Sequence, residues 1–347
     1  MIKVNDAVSV TATGSGSGER PSMEKVRQYI WARYIDNVKA RFEIDEEQAL
    51  KVFEEHYGKH PLNQDDECFY YGILLYERAF SDDKNRAKYL VKSKEVFDIY
   101  RRVSGETEWD VIEDRFADVC DIIEREGLEA KVQAQTKSAP QIEGMVYVPA
   151  GTFAFGKEGR PTLLSAFYID VYPVSNLEYK RFLEETKYRR PELWARSPEL
   201  AQDELPVTGV SWIDALQFCK WAKKSLPTAE QWEKAARGND QRTYPWGEEQ
   251  PTPDRCNYSV EGTEPRLLPP KKYEKFKSPL GAVAMAGSVW EWTNTSYIDE
   301  DGAQVLKGGC YADPAHPEYL SVWATNWASK KEKNEIIGFR CTKPLES

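Results

Sequence analysis

Apolar side chains recur at helical spacing through the first third of the chain. Val26, Ile30, Tyr34, Val38 and Phe42 fall every four residues, and Trp109, Ile112, Phe116, Val119 and Ile123 every three or four. That is the stripe an amphipathic helix turns toward a core. Phe69, Ile73, Tyr76 and Phe80 predict another helix, and Tyr89 through Tyr100 one more. Breaks at Gly58 to Asn63, Ser81 to Asp83 and Ser104 to Thr107 supply the turns. The pattern therefore predicts four or five antiparallel helices joined by short loops over residues 23–127.

Such an array resembles a small bundle or a fragment of a tetratricopeptide-type helical repeat. No second copy of the Gly72 and Tyr76 spacing stands at a period of about 34 residues, so the repeat subtype rests on shape alone. The segment before it, residues 1–22, holds a Gly/Ser stretch and reads as a flexible arm or an engineered scar. Residues 128–143 lose both periodicity and aromatics, and are expected to be a linker.

After Gly144 the pattern changes. Nine of the eleven tryptophans lie there. Met145 to Val148 and Phe167 to Val171 suit strands, Asn176 to Thr186 and Trp212 to Lys224 suit helices, and much of the rest is Gly, Pro, Asn and Trp. Leu226-Pro-Thr-Ala-Glu-Gln-Trp is a helix start, with Thr228 as N-cap and Gln231 at the reciprocal capping position. A segment so rich in loops needs its aromatics to hold irregular backbone in place. The predicted class is α+β: a helical domain, then a domain at 144–347 with little regular secondary structure.

Charge narrows the partners. Forty-seven basic against fifty-seven acidic side chains leave a net charge of −10, which repels a phosphate backbone and argues against nucleic acid. No stretch reaches the ~18 to 20 apolar residues a bilayer span needs. With no apolar leader at the start, the expected location is the cytoplasm. Six cysteines without a CxxC pair do not form a disulfide framework, and three histidines, His56, His60 and His316, restrict metal and acid/base chemistry.

Seven ordered blocks in the second domain resemble the formylglycine-generating enzyme family, an elaborated C-type lectin fold. They are GMVYVPAGTFAFG at 144–156, FYIDVYPVSNLEYKRFLEE at 167–185, PVTGVSWIDALQFCKWAKKSLPTAEQWEKAARG at 206–238, YPWG at 244–247, AMAGSVWEWT at 284–293, VLKGGCY at 305–311 and IIGFRC at 336–341. The resemblance implies a copper(I) centre built from two cysteines soon after the GG strand. Along that block the first falls on Asp313 and the second on Glu318. Carboxylates are hard ligands and do not replace thiolates toward copper(I), and Cys310 is a lone thiol. No cofactor is expected on this reading. The resemblance leaves room for one calcium ion, at Asn257, although Ser288 stands where the family's GNVWEW block carries its Asn. It also pairs Cys219 with Cys341, expected here as buried thiols.

Relatives that make sulfoxides join this fold to a helical domain and hold iron with three histidines. His56-Tyr-Gly-Lys-His60 has the HxxxH spacing, but Gly58 and Pro61 oppose a continuous helix there. Other members of the fold serve as binding scaffolds, presenting residues between a GG strand and a closing IGFR strand. Here that interval carries Tyr311, Asp313, His316, Glu318, Tyr319, Trp323, Trp327, Lys330 and Lys331, with Ser321 and Thr325 in place of the enzyme-like arginines. Trp323 and Trp327 read equally well as core or as surface. Arg266, Lys271, Lys272, Lys275 and Lys277, with Arg255, surround Tyr273 and Phe276 as a secondary basic patch of the kind that holds nucleic acid or an acidic peptide. The expectation is a non-catalytic bacterial adaptor or effector-associated protein that binds a protein partner. The alternative is an oxygen-dependent metalloenzyme using Cys310, Asp313, His316 and Glu318 in one loop.

Overall fold

The computed structural model describes residues 22–35, 44–57, 65–103, 112–136 and 140–345. His60 and Trp109 fall outside them, as does the side chain of His56, so the paired-histidine reading is not addressed by this structure.

The helical domain is built from α1 (Met23–Ile30), α2 (Glu46–Tyr57), α3 (Asp65–Ala79), α4 (Arg86–Val103), α5 (Glu113–Glu126) and α6 (Leu128–Thr136). Ser22 caps α1 through its side chain, and α1 runs on as a π-helical turn over Trp31–Ile35. The predicted stripes face inward: Val26, Ile30, Phe69, Ile73, Phe97, Ile112, Val119 and Ile123 share one core. Helices α3 and α4 cross closely at Gly72, where a Cβ would stand 2.3 Å from the Phe97 ring, and Ser93 Oγ donates to the Gly72 carbonyl at 2.9 Å. Phe80, read as part of the same stripe, is exposed beyond the end of α3.

Residues 128–136 are helical, which corrects the expected linker. Gly127 takes the left-handed conformation that ends α5 (φ 60°), and the chain starts α6 at once. Leu128 is buried in the helical core, and Lys94 pairs with Glu129 at 2.7 Å. The missing periodicity reflects a short helix anchored at its first residue.

The second domain opens with β1 (Met145–Val148), β2 (Gly151–Phe155), β3 (Arg160–Leu164) and β4 (Phe167–Asp170). β1 and β4 pair antiparallel, and the closing strand β9 (Thr342–Pro344) joins the far side of β4. A second sheet runs in the order β7–β6–β5–β8, from β5 (Trp290–Ser296), β6 (Ala303–Lys307), β7 (Thr325–Ser329) and β8 (Ile337–Gly338). Around them stand α7 (Asn176–Thr186), α8 (Leu193–Arg196), α9 (Trp212–Trp221), α10 (Ala229–Arg237) and the one-turn α11 (Pro317–Leu320). Reciprocal capping boxes start three helices, Ser175 with Glu178, Ser211 with Asp214 and Thr228 with Gln231.

The domains touch along α4, which lies on the β2–β3 hairpin and takes Leu163 into the helical core. There Lys234 of α10 is fully buried, donates to the Gly151 carbonyl at 2.6 Å, and feels Glu95 of α4. Burial lowers its ammonium to about 8 despite the opposing pull of Glu95. Among the described residues no helix is long and apolar enough to cross a membrane.

Candidate functional site

The floor beneath the GG strand is a closed charge network. Glu291 lies between Trp290 and Trp292 on β5, and all three are buried. Arg340 donates to both Glu291 oxygens, through Nε at 2.7 Å and Nη2 at 2.8 Å. Its remaining bonds go to the carbonyls of Asp170, Val171 and Val283, and Trp232 Nε1 adds a 2.7 Å bond to Glu291. A planar fork that spends its donors this fully locks three chain segments together. Beside it Lys307, at the end of β6, is buried with its ammonium 3.0 Å from Glu233, which also pairs with Arg237.

Two glycines carry the chain from that floor to the loop. A Cβ at Gly308 would meet the Trp232 ring at 2.9 Å, and one at Gly309 the Tyr319 carbonyl at 2.4 Å; both have positive φ. Cys310 follows, fully buried. Burial, with the Asp313 carboxylate beside it, pushes its thiol well above the usual range.

Asp313 is committed locally. Its Oδ2 accepts from the Cys310 N–H at 2.8 Å, its own N–H donates back to the Cys310 carbonyl, and its carbonyl accepts from Ser259 N–H at 2.8 Å. His316 caps α11, with Nδ1 accepting from Glu318 N–H at 3.3 Å. The Glu318 side chain points to solvent, 3.7 Å from that nitrogen. Neither position offers a soft ligand, so the residues present do not fit the copper(I) centre that the resemblance implies. Among the described residues no group of three or more His, Cys, Asp or Glu could hold a metal ion.

Calcium fits no better. Asn257 Oδ1 accepts from Leu268 N–H at 2.9 Å and its Nδ2 donates to the Arg266 carbonyl at 3.0 Å, so the amide ties its own loop. Ser288 is buried at φ 70° with an unpartnered hydroxyl, a single neutral oxygen in place of an amide. The Asn257 side-chain oxygen thus already serves one backbone N–H of its own loop.

The expected partner-binding face divides. Tyr311 is buried at 7% exposure and packs with Leu205 and Val289, so it belongs to the core and not to the surface. Tyr319 and Trp323 are half-buried, Tyr319 against the main core and Trp323 with the Arg237 guanidinium 5.5 Å from its ring centre. Trp327 is 42% exposed on the edge strand β7, stacked on Tyr297 at 5.3 Å. Lys330 is half-buried, its ammonium 5.2 Å from the Trp212 ring centre, and Lys331 is exposed. The exposed members are thus His316, Glu318, Trp327 and Lys331.

In the basic patch Arg266, Lys271, Lys272, Lys275 and Lys277 are all exposed. Tyr273 is buried, contrary to its expected place on the surface, and Arg255 is held by Glu249 and the Phe276 ring. Cys219 and Cys341 lie with their sulfurs 3.5 Å apart as buried thiols, burial holding Cys341 well above the usual range.

One anchor escaped the sequence reading. Asp214 accepts from Ser211 N–H and Oγ, Tyr188 Oη and Arg189 Nη2, the last at 2.8 Å, with Lys333 beyond at 3.7 Å. Burial alone would raise its carboxyl, but Arg189 and the bonds from Ser211 and Tyr188 outweigh it and hold the group at about 2. The Ser-x-x-Asp capping spacing was the available signal; Tyr188, Arg189 and Lys333 are brought to it only by the fold.

Residues 130–345 match the family described as the sulfatase-modifying factor enzyme 1-like domain. The chain belongs to that family. It is 28% identical to a cattle (Bos taurus) protein named inactive C-alpha-formylglycine-generating enzyme 2, over 58% of this chain and 88% of that one. It is 30% identical to the formylglycine-generating enzyme of Thermomonospora curvata, over 57% of this chain and 93% of that one. Among solved structures, PvdO from Pseudomonas aeruginosa is similar at 18% identity and a TM-score of 0.49, covering 58% of this chain and 94% of that one. Within the sulfatase-modifying factor family, then, this member has the Glu291–Arg340 floor and carries Asp313 and Glu318 in its loop.

Proposed function

We propose that this family member is a non-catalytic, cytoplasmic bacterial adaptor whose former active-site face recognises a protein partner. The observation that carries the reading is the use of Asp313. A side chain bonded to the Cys310 N–H serves the backbone of its own turn, and the thiol below it is buried and protonated. The similarity to a protein named as inactive supports the same direction. What remains exposed in this interval is Trp327 on the edge strand β7, together with Lys331, Glu318 and His316. A large aromatic held by a scaffold and rimmed with charge is the composition of a recognition hot spot.

The test is parallel capture from the native host with the wild-type chain and with Trp327→Ala and Glu318→Lys, together with metal content by mass spectrometry. The reading expects one protein retained near stoichiometry by the wild type and lost from both variants, while thermal stability moves little because both sites are exposed. Stoichiometric copper or iron accompanied by oxygen consumption overturns it.

A further inference from the structure

We infer that the cavity under the Asn257 loop binds the carboxylate group of a small acid or peptide. The cavity has a volume of about 270 Å³ and is lined by Cys256, Tyr258, Arg266, Lys272 and Tyr273, among others. One water needs only about 10–15 Å³ of such space, so the cavity admits a ligand larger than a single water.

The walls are preformed. The Asn257 amide clamps the loop from inside through Arg266 and Leu268, and the Asn257 carbonyl accepts from Ser288 N–H at 2.8 Å. Gly287 permits that approach, since a Cβ there would stand 2.1 Å from the Asn257 oxygen. A site that need not be ordered on binding loses less affinity to conformational entropy.

Its charge is suited to an anion. Arg266 and Lys272 are exposed at the lining and neither forms an ion pair among the described residues; Lys272 lies over the Tyr273 ring at 5.7 Å. Glu264 is the one lining carboxylate, and it pairs with neither. Two cations against one carboxylate favour an anion over a cation, which agrees with the poor fit for calcium. Tyr273 also lines the cavity, is 1% exposed, and its hydroxyl has no hydrogen-bond partner. Native structures rarely leave such a group unmatched, and a carboxylate oxygen is an acceptor for it. Cys256 is not a competing nucleophile, because burial raises its thiol to about 12.

The cavity adjoins the proposed face. Ser259 donates to the Asp313 carbonyl and bridges to Pro314, so the two loops share a border. The carboxylate therefore has two sources, a free acid or the C-terminus of a peptide crossing that border, and the second rests on the adaptor reading.

Isothermal titration of the full chain separates them. The probes are 4-hydroxybenzoate, its neutral counterpart 4-hydroxybenzamide, and acetyl-Gly-Ser-Glu with a free or an amidated C-terminus. The expected result is binding of 4-hydroxybenzoate with Kd on the order of 1 mM, at least about tenfold weaker in the double variant Arg266→Glu, Lys272→Glu. Tyr273→Phe weakens it severalfold, and the benzamide does not compete. Tighter binding of the free-ended peptide than of its amide assigns the pocket to a peptide terminus; binding of the benzoate alone assigns it to a free acid. Equal binding of acid and amide, no binding by either acid, or an unchanged Kd in the charge-reversed variant overturns the pocket. Any of these with partner capture through Trp327 intact leaves the adaptor reading standing.

Discussion

Two neighbouring regions of the second domain treat their carboxylates in opposite ways. Glu291 is sealed in the floor, with both oxygens on Arg340 and a third bond from Trp232. Asp313 and Glu318, one strand away, serve a turn and the solvent. The floor is a structural commitment, because removing one partner of a buried ion pair strands a charge without water. The loop carries no such cost, because Asp313 is half-buried and Glu318 is exposed.

The largest effect should come from the floor. Arg340→Ala leaves Glu291 buried and unpaired, and a loss of about 3–5 kcal/mol in urea denaturation is expected; a loss below about 1 kcal/mol would erase the contrast. Asp214 stands between the extremes, buried yet linked to the exposed Arg189. Its folded-state group titrates at about 2, below the unfolded value near 3.9, so its contribution is present above that unfolded value and is lost as pH falls toward about 2. Asp214→Asn should flatten the acid limb of a stability–pH curve; an unaltered slope between about pH 4 and 2 would show that the Asp214 carboxyl is not held low in solution.

Smaller again is Asp313→Ala, which frees the Cys310 N–H and should cost about 1–2 kcal/mol, as losing a capping side chain does. Asp313→Asn should recover most of it, and hydrogen exchange at Cys310 should report the change locally. If both variants match the wild type, the turn does not depend on that bond. The smallest effect is expected at Glu318→Ala, within about 0.5 kcal/mol in thermal unfolding. A larger loss would mean that Glu318 is structural, and the comparison with Glu291 would narrow.

Much of this was legible along the chain. Helical stripes placed α3, α4 and α5, and Thr228 with Gln231 marked the start of α10. The paired glycines announced a close approach that Trp232 and Tyr319 make real. The ordered blocks carried the resemblance, and with it the substitution of both thiols. Less legible was the face itself. Trp323 and Trp327 stand four apart in sequence, yet one lies under Arg237 and the other opens to solvent on an edge strand. Tyr311 looked available and was not, because it packs with Leu205 and Val289, far from it in sequence.

By itself the sequence determined the stripes of α3, α4 and α5 and the cap of α10, that a helical region precedes a mixed α+β domain, and that Asp313 and Glu318 follow the GG strand. These are local matters of periodicity, capping and residue chemistry, readable within a few positions. Only the tertiary structure decided which aromatics face water, that α4 lies on the β2–β3 hairpin, and that Asn257 closes a cavity beside Arg266 and Lys272. Burial and pairing depend on contacts between residues far apart in the chain, and those exist only once the chain has folded.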